Sequence, residues 1–533
     1  MRFAFALLLS CCVLFPTTTH AQTDGLSPVT GVSSNAIRVL ESAGDSLWAG
    51  PFLTVYVEDE QRFLFANNER LQDSDNVVFA IDALSPPDAN PSLIWSALAF
   101  DTGNGTPGAA GFLVSTNGGD SFDFRPPQLD SVTDTTITYG DATFPAIPVT
   151  QPANNTVQSI DVNPATGTVW IAGGQSGIRR SDDGGETWQR AVLPPDSLLS
   201  VAPNDTPPFR VGPPLDESRG FLNHVGFSVH VDETGTVWAG TAGGVNRSAP
   251  DDALPSGDRA WTRTVFDGKP EGLTGNNVVA IAEQPRPNAR NPLWMATWAA
   301  QSNEGGLQRF GVSVTRDGGD TFDQELIGAQ VFDFAFREDV VYAAAAEGLY
   351  VSGDDGQTWR TVRDFRLADA DAFLRDDAEP QAVETTPSAL WVATSDGLLR
   401  LPRARESALL ANDPSAERPA WTLFRTNVPV NPEEPSETVP DVATYAYPNP
   451  FSPSNDRVVR IRYQLEASHD VTIEIFDFGM NRVRTLRSQK PAGQNESVWD
   501  GTDARGLRLP NGAYFYTVET DTGTERGKIL LVE

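Results

Sequence analysis

The chain has 533 residues, 71 acidic and 39 basic, for a formal net charge of −32. At roughly 150 residues per domain this length calls for several domains or one large repetitive one. Hydrophobic residues at 39% and aromatics at 9% suffice for packed cores, while so much negative charge repels phosphate backbones and excludes nucleic acid as a partner.

The first element is an export signal. Arg2 precedes a largely apolar run from Phe3 to Phe15, and Thr19, His20 and Ala21 offer a small-residue cleavage site. This pattern predicts a secretory signal peptide over residues 1–21, since the run is too short to span a membrane. Cys11 and Cys12, the two cysteines of the chain, both lie inside it. The mature protein is therefore expected to carry no disulfide, thiol nucleophile or cysteine metal site, and no transmembrane segment.

Four octapeptides share one pattern: 115–122 (STNGGDSF), 181–188 (SDDGGETW), 315–322 (TRDGGDTF) and 352–359 (SGDDGQTW). Each runs hydroxyl, any, Asp or Asn, any, Gly, any, hydroxyl, aromatic. The third-position residues Asn117, Asp183, Asp317 and Asp354 are short acceptors suited to backbone N–H groups in a turn. The glycine tolerates positive φ, and the aromatic anchors the returning strand. These segments resemble Asp-boxes (BNR repeats), the hairpin turns of sialidase-like β-propellers. The resemblance implies a fold, and turns of this kind mainly hold a hairpin together.

A second register runs in the same region. An aromatic followed two places later by Ala or Gly recurs at Trp48, Trp95, Trp170, Trp238, Trp294, Tyr342 and Trp391. Most of these follow an alternating apolar stretch, such as 157–162 (VQSIDV) or 225–231 (VGFSVHV). Alternation, a turn and another short strand is the pattern of an antiparallel meander. Seven occurrences predict an all-β fold with a seven-bladed β-propeller over 22–428. Segments 237–246 and 271–278 also resemble the propeller repeats of hybrid two-component sensor proteins.

Two features of this region are candidates for binding. An amide usually stands about two residues before each inner strand, at Asn35, Asn76, Asn155, Asn223 and Asn276; these form either loop caps or a polar ring near the channel. Two long connections, 124–153 and 192–221, hold Arg125, Asp130, Tyr139, Phe144, Phe209, Arg210 and Asp216 among many prolines. Long loops on a rigid scaffold are where binding usually resides. Catalytic constellations are thin. The tyrosines and arginines do not fit a sialidase, and His224 and His230 make neither a metal site nor a triad. No catalytic residue, metal or cofactor is assigned.

Residues 429–443 are rich in proline and acid, which predicts an extended linker. From 444 onward, 12 acids and 11 bases leave the segment nearly neutral. Alternation in 459–465 (VRIRYQL) and 471–475 (VTIEI) predicts a small sandwich with one apolar and one solvated face. The segments 447–451 (YPNPF), 475–479 (IFDFG), 499–503 (WDGTD), 509–514 (LPNGAY) and 527–532 (GKILLV) closely resemble the Ig-like C-terminal modules of proteins exported by the type IX secretion system. They also resemble the Ig-like part of the flagellar hook-capping protein. The resemblance implies a sorting domain over 444–533, type IX machinery as its partner, and delivery to the medium or the outer-membrane surface.

The sequence thus predicts a secreted or cell-surface propeller that binds a protein or glycan through its long loops. The competing class is a glycoside hydrolase using a carboxylate pair in the propeller.

Overall fold

A computed structural model describes residues 25–533 apart from 30–31, 33, 73–75, 85–91, 104, 207–209, 213–221, 249–256, 288, 301–307, 370–371, 376, 412–417, 426–441, 455, 491 and 522. The expected signal peptide, most of the expected linker, Phe209 and Asp216 lie outside the described residues.

Seven antiparallel sheets follow one another along the chain, and each takes its four core strands from one contiguous stretch. The inner strands are Leu40–Ala43, Val77–Leu84, Val157–Val162, Gly226–Val231, Asn277–Glu283, Val331–Arg337 and Pro380–Thr386 for blades 1 to 7. Each inner strand contacts the next, and that of blade 7 contacts that of blade 1, so the ring closes. Gly25–Val29 adds a fifth strand outside blade 1, and Ser200–Val201 one outside blade 4. Closure therefore rests on one backbone bond, Ile37 N to Thr394 O at 3.1 Å, and on side chains. Tyr56 of blade 1 sits between Phe63, Trp391 and Phe424 with ring centroids 4.9–5.9 Å away, and Arg400 of blade 7 pairs with Glu58 at 2.6 Å.

All seven register aromatics fall on the second strand of their blade, buried to 5% exposure or less. The four octapeptides form the turn after the third strand of blades 2, 3, 5 and 6. In blade 3, Ser181 Oγ donates to Asp183 Oδ1 (2.8 Å) and accepts from Gly185 N (2.8 Å), while Asp183 accepts from Thr187 N (2.9 Å) and Thr187 Oγ1 (2.6 Å). The turns around Asp317 and Asp354 repeat this bonding, and the turn around Asn117 repeats it except that Asn117 Nδ2 donates to Ser121 Oγ (2.8 Å). The turn then reaches across to the preceding blade. Trp188 packs edge-on to Trp95 at 6.4 Å, Phe122 to Trp48 at 6.3 Å and Trp359 to Trp294 at 6.0 Å. Local turn chemistry thus sets the packing between blades.

Beyond the propeller, Thr444–Tyr447, Val459–Leu465 and Gly493–Trp499 form one sheet, and His469–Phe476, Arg482–Lys490, Gly512–Glu519 and Thr524–Leu531 form another. They enclose a core that includes Phe451, Ile461, Ile475, Trp499, Tyr516 and Leu531. The outer face of Val459–Leu465, read from alternation as solvated, is covered at Arg460 and Arg462, which are 4% and 7% exposed. The propeller supplies the cover at Arg460, through Phe373 and Asp396.

Candidate functional site

The inner strands enclose a central cavity of about 810 Å³. Alternation along each strand sends successive side chains to opposite sides, so residues of the inner strands line the opening in turn. One ionisable side chain arrives from each blade: Glu41, Asp82, Asp161, His230, Glu283, Asp333 and Glu384. Arg38, Phe52, Phe79, Phe332, Phe334 and Phe336 share the lining. Five of the seven ionisable residues stand directly opposite their blade's register aromatic: Glu41 to Trp48, Asp82 to Trp95, Asp161 to Trp170, His230 to Trp238 and Glu384 to Trp391.

Much of this polar lining also ties neighbouring blades together. Asp82 Oδ2 accepts from Val162 N at 2.6 Å, Asp161 Oδ2 from Val231 N at 3.2 Å, and Asp333 Oδ2 from Val383 N at 3.0 Å. Ser228 Oγ donates to Val278 O at 2.9 Å, and Thr385 Oγ1 to Phe336 O at 2.9 Å. Among the described residues no inner strand has a backbone ladder to the next blade, so these bonds supply lateral pairing.

The same crowding displaces the titrations. Burial pushes Asp82 up to about 8, aided by Asp161 and opposed by the Val162 N–H. Burial also lifts Glu384 to about 8, with Asp333 adding to it, and lifts Asp333 to about 6. Glu41 is raised well above the carboxylate range by burial and then by Glu384, Asp82, Asp333 and Asp161. His230 goes the other way. Burial disfavours its charge, but Asp161 at Nδ1 (2.9 Å) and Glu283 at Nε2 (3.1 Å) outweigh that and push it up to about 10. The ring is therefore an imidazolium at neutral pH, donating from both nitrogens.

The described parts of the long loops are folded down onto the blades. Strands Thr136–Tyr139 and Ala142–Pro145 form a hairpin, and Val211 bonds to Pro145 and Ile147, tying one loop to the other. Tyr139 is 1% exposed and donates to Arg259 O at 2.6 Å, while Phe144 joins the same apolar cluster. Asp130 holds Arg179 through two bonds of 2.7 and 3.0 Å, contacts Arg190, and accepts from Val149 N. Burial alone would raise its carboxyl, but Arg179 and Arg190 outweigh this and lower it. Arg125 reaches Gly184 O at 3.1 Å, and Arg210 is exposed.

The five amides stand at loop positions rather than in the cavity lining. Asn155 Oδ1 accepts from Ser176 N (2.8 Å), Asn223 Nδ2 donates to Pro194 O (2.6 Å), and Asn276 Oδ1 accepts from Phe266 N (2.7 Å). Asn76 Nδ2 donates to Arg70 O at 2.9 Å, and Asn35 lies in a bend before blade 1. His224, in a short turn at Leu222–His224, is pushed down to about 3 by burial and by Arg190. Among the described residues no group of three His, Cys, Asp or Glu has metal-holding geometry.

Several solved structures are similar to this chain at low identity. PorZ, a surface component of the type IX secretion system of Porphyromonas gingivalis, is 14% identical with a TM-score of 0.35, over 96% of this chain and 73% of that one. YCF48 from Cyanidioschyzon merolae is 16% identical with a TM-score of 0.40, over 70% of this chain and 97% of that one. An ancestral GH74 enzyme is 12% identical with a TM-score of 0.31, over 95% of this chain and 80% of that one. No curated protein matches the chain. Residues 453–524 match the FlgD Ig-like domain, so the chain joins a seven-bladed β-propeller to a C-terminal Ig-like domain.

Proposed function

We propose that this is a secreted or cell-surface binding protein whose central cavity takes a cationic side chain of a protein ligand. The cavity itself carries this reading: about 810 Å³, six carboxyl groups and five phenyl rings against Arg38 and His230. Carboxyls raised by burial, as those of Glu41, Asp82, Asp333 and Glu384 are, gain most from an incoming positive charge, and phenyl faces favour a guanidinium or ammonium group. Arg210 is exposed on its loop, and Arg125, at the end of the outer strand of blade 2 beside Gly184 and Glu186, is partly buried; both stand as secondary contacts. On this reading the octapeptide turns are Asp-boxes that stiffen the ring, residues 1–21 are the export signal, and the Ig-like module is a type IX sorting domain.

Because Asp82 and Glu384 titrate near 8, a cation entering the cavity displaces protons. Calorimetry with an arginine-rich peptide is expected to show proton release and tighter binding at pH 8.5 than at pH 5.5. The double variant Glu41→Gln, Glu384→Gln should weaken binding by about tenfold or more, equivalent to ~1.4 kcal/mol. Equal affinity for an acidic peptide would overturn the proposal.

Carboxyls that stay protonated near neutrality also suit a glycosidase general acid, so a glycoside hydrolase is the second reading. Turnover in a polysaccharide panel, abolished by Asp82→Asn or Glu384→Gln, would establish that reading in place of the first.

A further inference from the structure

We infer that the propeller carries a built seat for the Ig-like module, which fixes the two as one body rather than leaving them joined by a loose tether. Four charged side chains from four separate places in the chain meet there. Asp396 lies in the turn between the second and third strands of blade 7, and Arg425 follows its last strand, Thr422–Phe424. Arg460 and Glu496 come from Val459–Leu465 and Gly493–Trp499 of the module.

Each arginine bridges both carboxylates. Arg425 Nη2 donates to Asp396 Oδ1 at 2.6 Å and its Nη1 to Glu496 Oε1 at 2.9 Å. Arg460 Nη1 donates to Glu496 Oε1 at 2.8 Å, and its Nη2 lies 3.4 Å from Asp396 Oδ2. The signs alternate around the group and its formal charge is zero. The remaining valences are filled locally. Arg460 Nη2 donates to Phe373 O at 2.9 Å with its guanidinium 5.4 Å from the Phe373 ring, and the Tyr447 hydroxyl donates to Glu496 Oε2 at 2.8 Å. Arg375 N donates to Asp396 Oδ2 at 2.9 Å. The side chains of Asp396, Arg425 and Arg460 are only 5–8% exposed, the condition under which paired charges keep their geometry.

Alternation sharpens the point. Val459 and Ile461 point into the module core at 0% exposure, so Arg460 between them faces outward, yet it is only 4% exposed. An outward arginine on an isolated sandwich would be solvated; here the blade 7 turn and Phe373 cover it. Separation of the two bodies would leave each side with one internal pair, Asp396–Arg425 and Arg460–Glu496. Neither half would hold an orphaned charge, so the seat can open without unfolding either side.

The mature sequence lacks cysteine, which makes a labelling test clean. Spin labels on Gln357→Cys in the propeller and Gln489→Cys in the module, both exposed, are read by double electron–electron resonance on the full mature chain. One narrow distance is expected. Combining Arg460→Glu with Glu496→Arg keeps an opposite-charge pair within the module. It also turns a carboxylate at position 460 toward Asp396 and a guanidinium at position 496 toward Arg425, so both contacts across the seat become repulsive. That variant should lose the narrow distance and spread it by roughly 20 Å, the range of a free tether of this length, with the module's thermal transition retained. A broad distribution in the parent, or a narrow one surviving in the swapped variant, would overturn the seat.

Discussion

Gly185 is the residue at which both repeats of the propeller meet. It has φ of +86°, and a Cβ there would lie 2.8 Å from Cη2 of Trp95 on the preceding blade. Gly119 against Trp48, Gly319 against Trp238 and Gly356 against Trp294 repeat the contact at 2.7–2.9 Å. Neighbouring Gly184 has φ of +71° but open space around it, so the pair separates strain from collision. Gly184→Ala should cost about 1 kcal/mol from the backbone alone, and Gly185→Ala about 1–3 kcal/mol more as the indole is displaced. Urea titration of the two variants checks the difference. Asp130 is a second such point, because it pairs with both Arg179 and Arg190, whose side chains are 2% and 8% exposed. Asp130→Ala should destabilise by about 3–5 kcal/mol, as expected when a buried pair loses one partner. The Asp130 carboxyl is lowered in the folded state. Its contribution is therefore present above the unfolded value and is lost as pH falls through the folded one; a denaturation series below pH 4 reads this loss.

The inner strands act as an element through their side chains. Asp82, Glu384 and Asp333 are raised to about 8, 8 and 6, so their contribution is fully present below the unfolded carboxylate value. It is lost as pH rises through the folded ones. His230, raised to about 10, contributes fully below about 6.5 and loses that contribution as pH climbs to 10. All four groups act in one direction, so propeller stability should decline from about pH 4 to pH 8. Asp82→Asn should flatten that slope in pH-resolved thermal melts, and an unchanged slope would contradict the assignment. The octapeptides and the register aromatics were readable in the sequence because each is a local pattern. The cavity acids were not, among 71 acidic residues. Glu41, Asp82, Asp161, His230 and Glu384 precede their aromatics by 7, 13, 9, 8 and 7 positions, since hairpins of different length intervene. Only pairing across the hairpin makes them equivalent. Asp161 and His230 did leave a trace, as the penultimate residues of the alternating stretches 157–162 and 225–231. Tyr139 and Phe144 show the converse: an aromatic among prolines reads alike whether it faces a ligand or, as here, packs beneath its own loop.

At the scale of the molecule, charge is divided between a strongly acidic propeller and a nearly neutral module, with 12 acids and 11 bases from residue 444. If the module is the export address, deleting 444–533 should leave the protein in the periplasm, as read by fractionation and protease accessibility of intact cells. Surface delivery of the truncated chain would refute the address. The composition of 429–443 suggested a spacer, whereas the contact that fixes the module lies between residues too far apart in sequence to be paired by inspection, Asp396 with Arg460 and Arg425 with Glu496. The ring itself has one place where no peptide bond joins neighbours. Six blade junctions are crossed by the chain, and the seventh is held by Tyr56, Trp391, Phe424, the Glu58–Arg400 pair and the Ile37 N–Thr394 O bond. Under a pull on its two ends the propeller behaves as a bracelet with a non-covalent clasp: it should spring open at that clasp, with every blade still intact, before any single blade unravels.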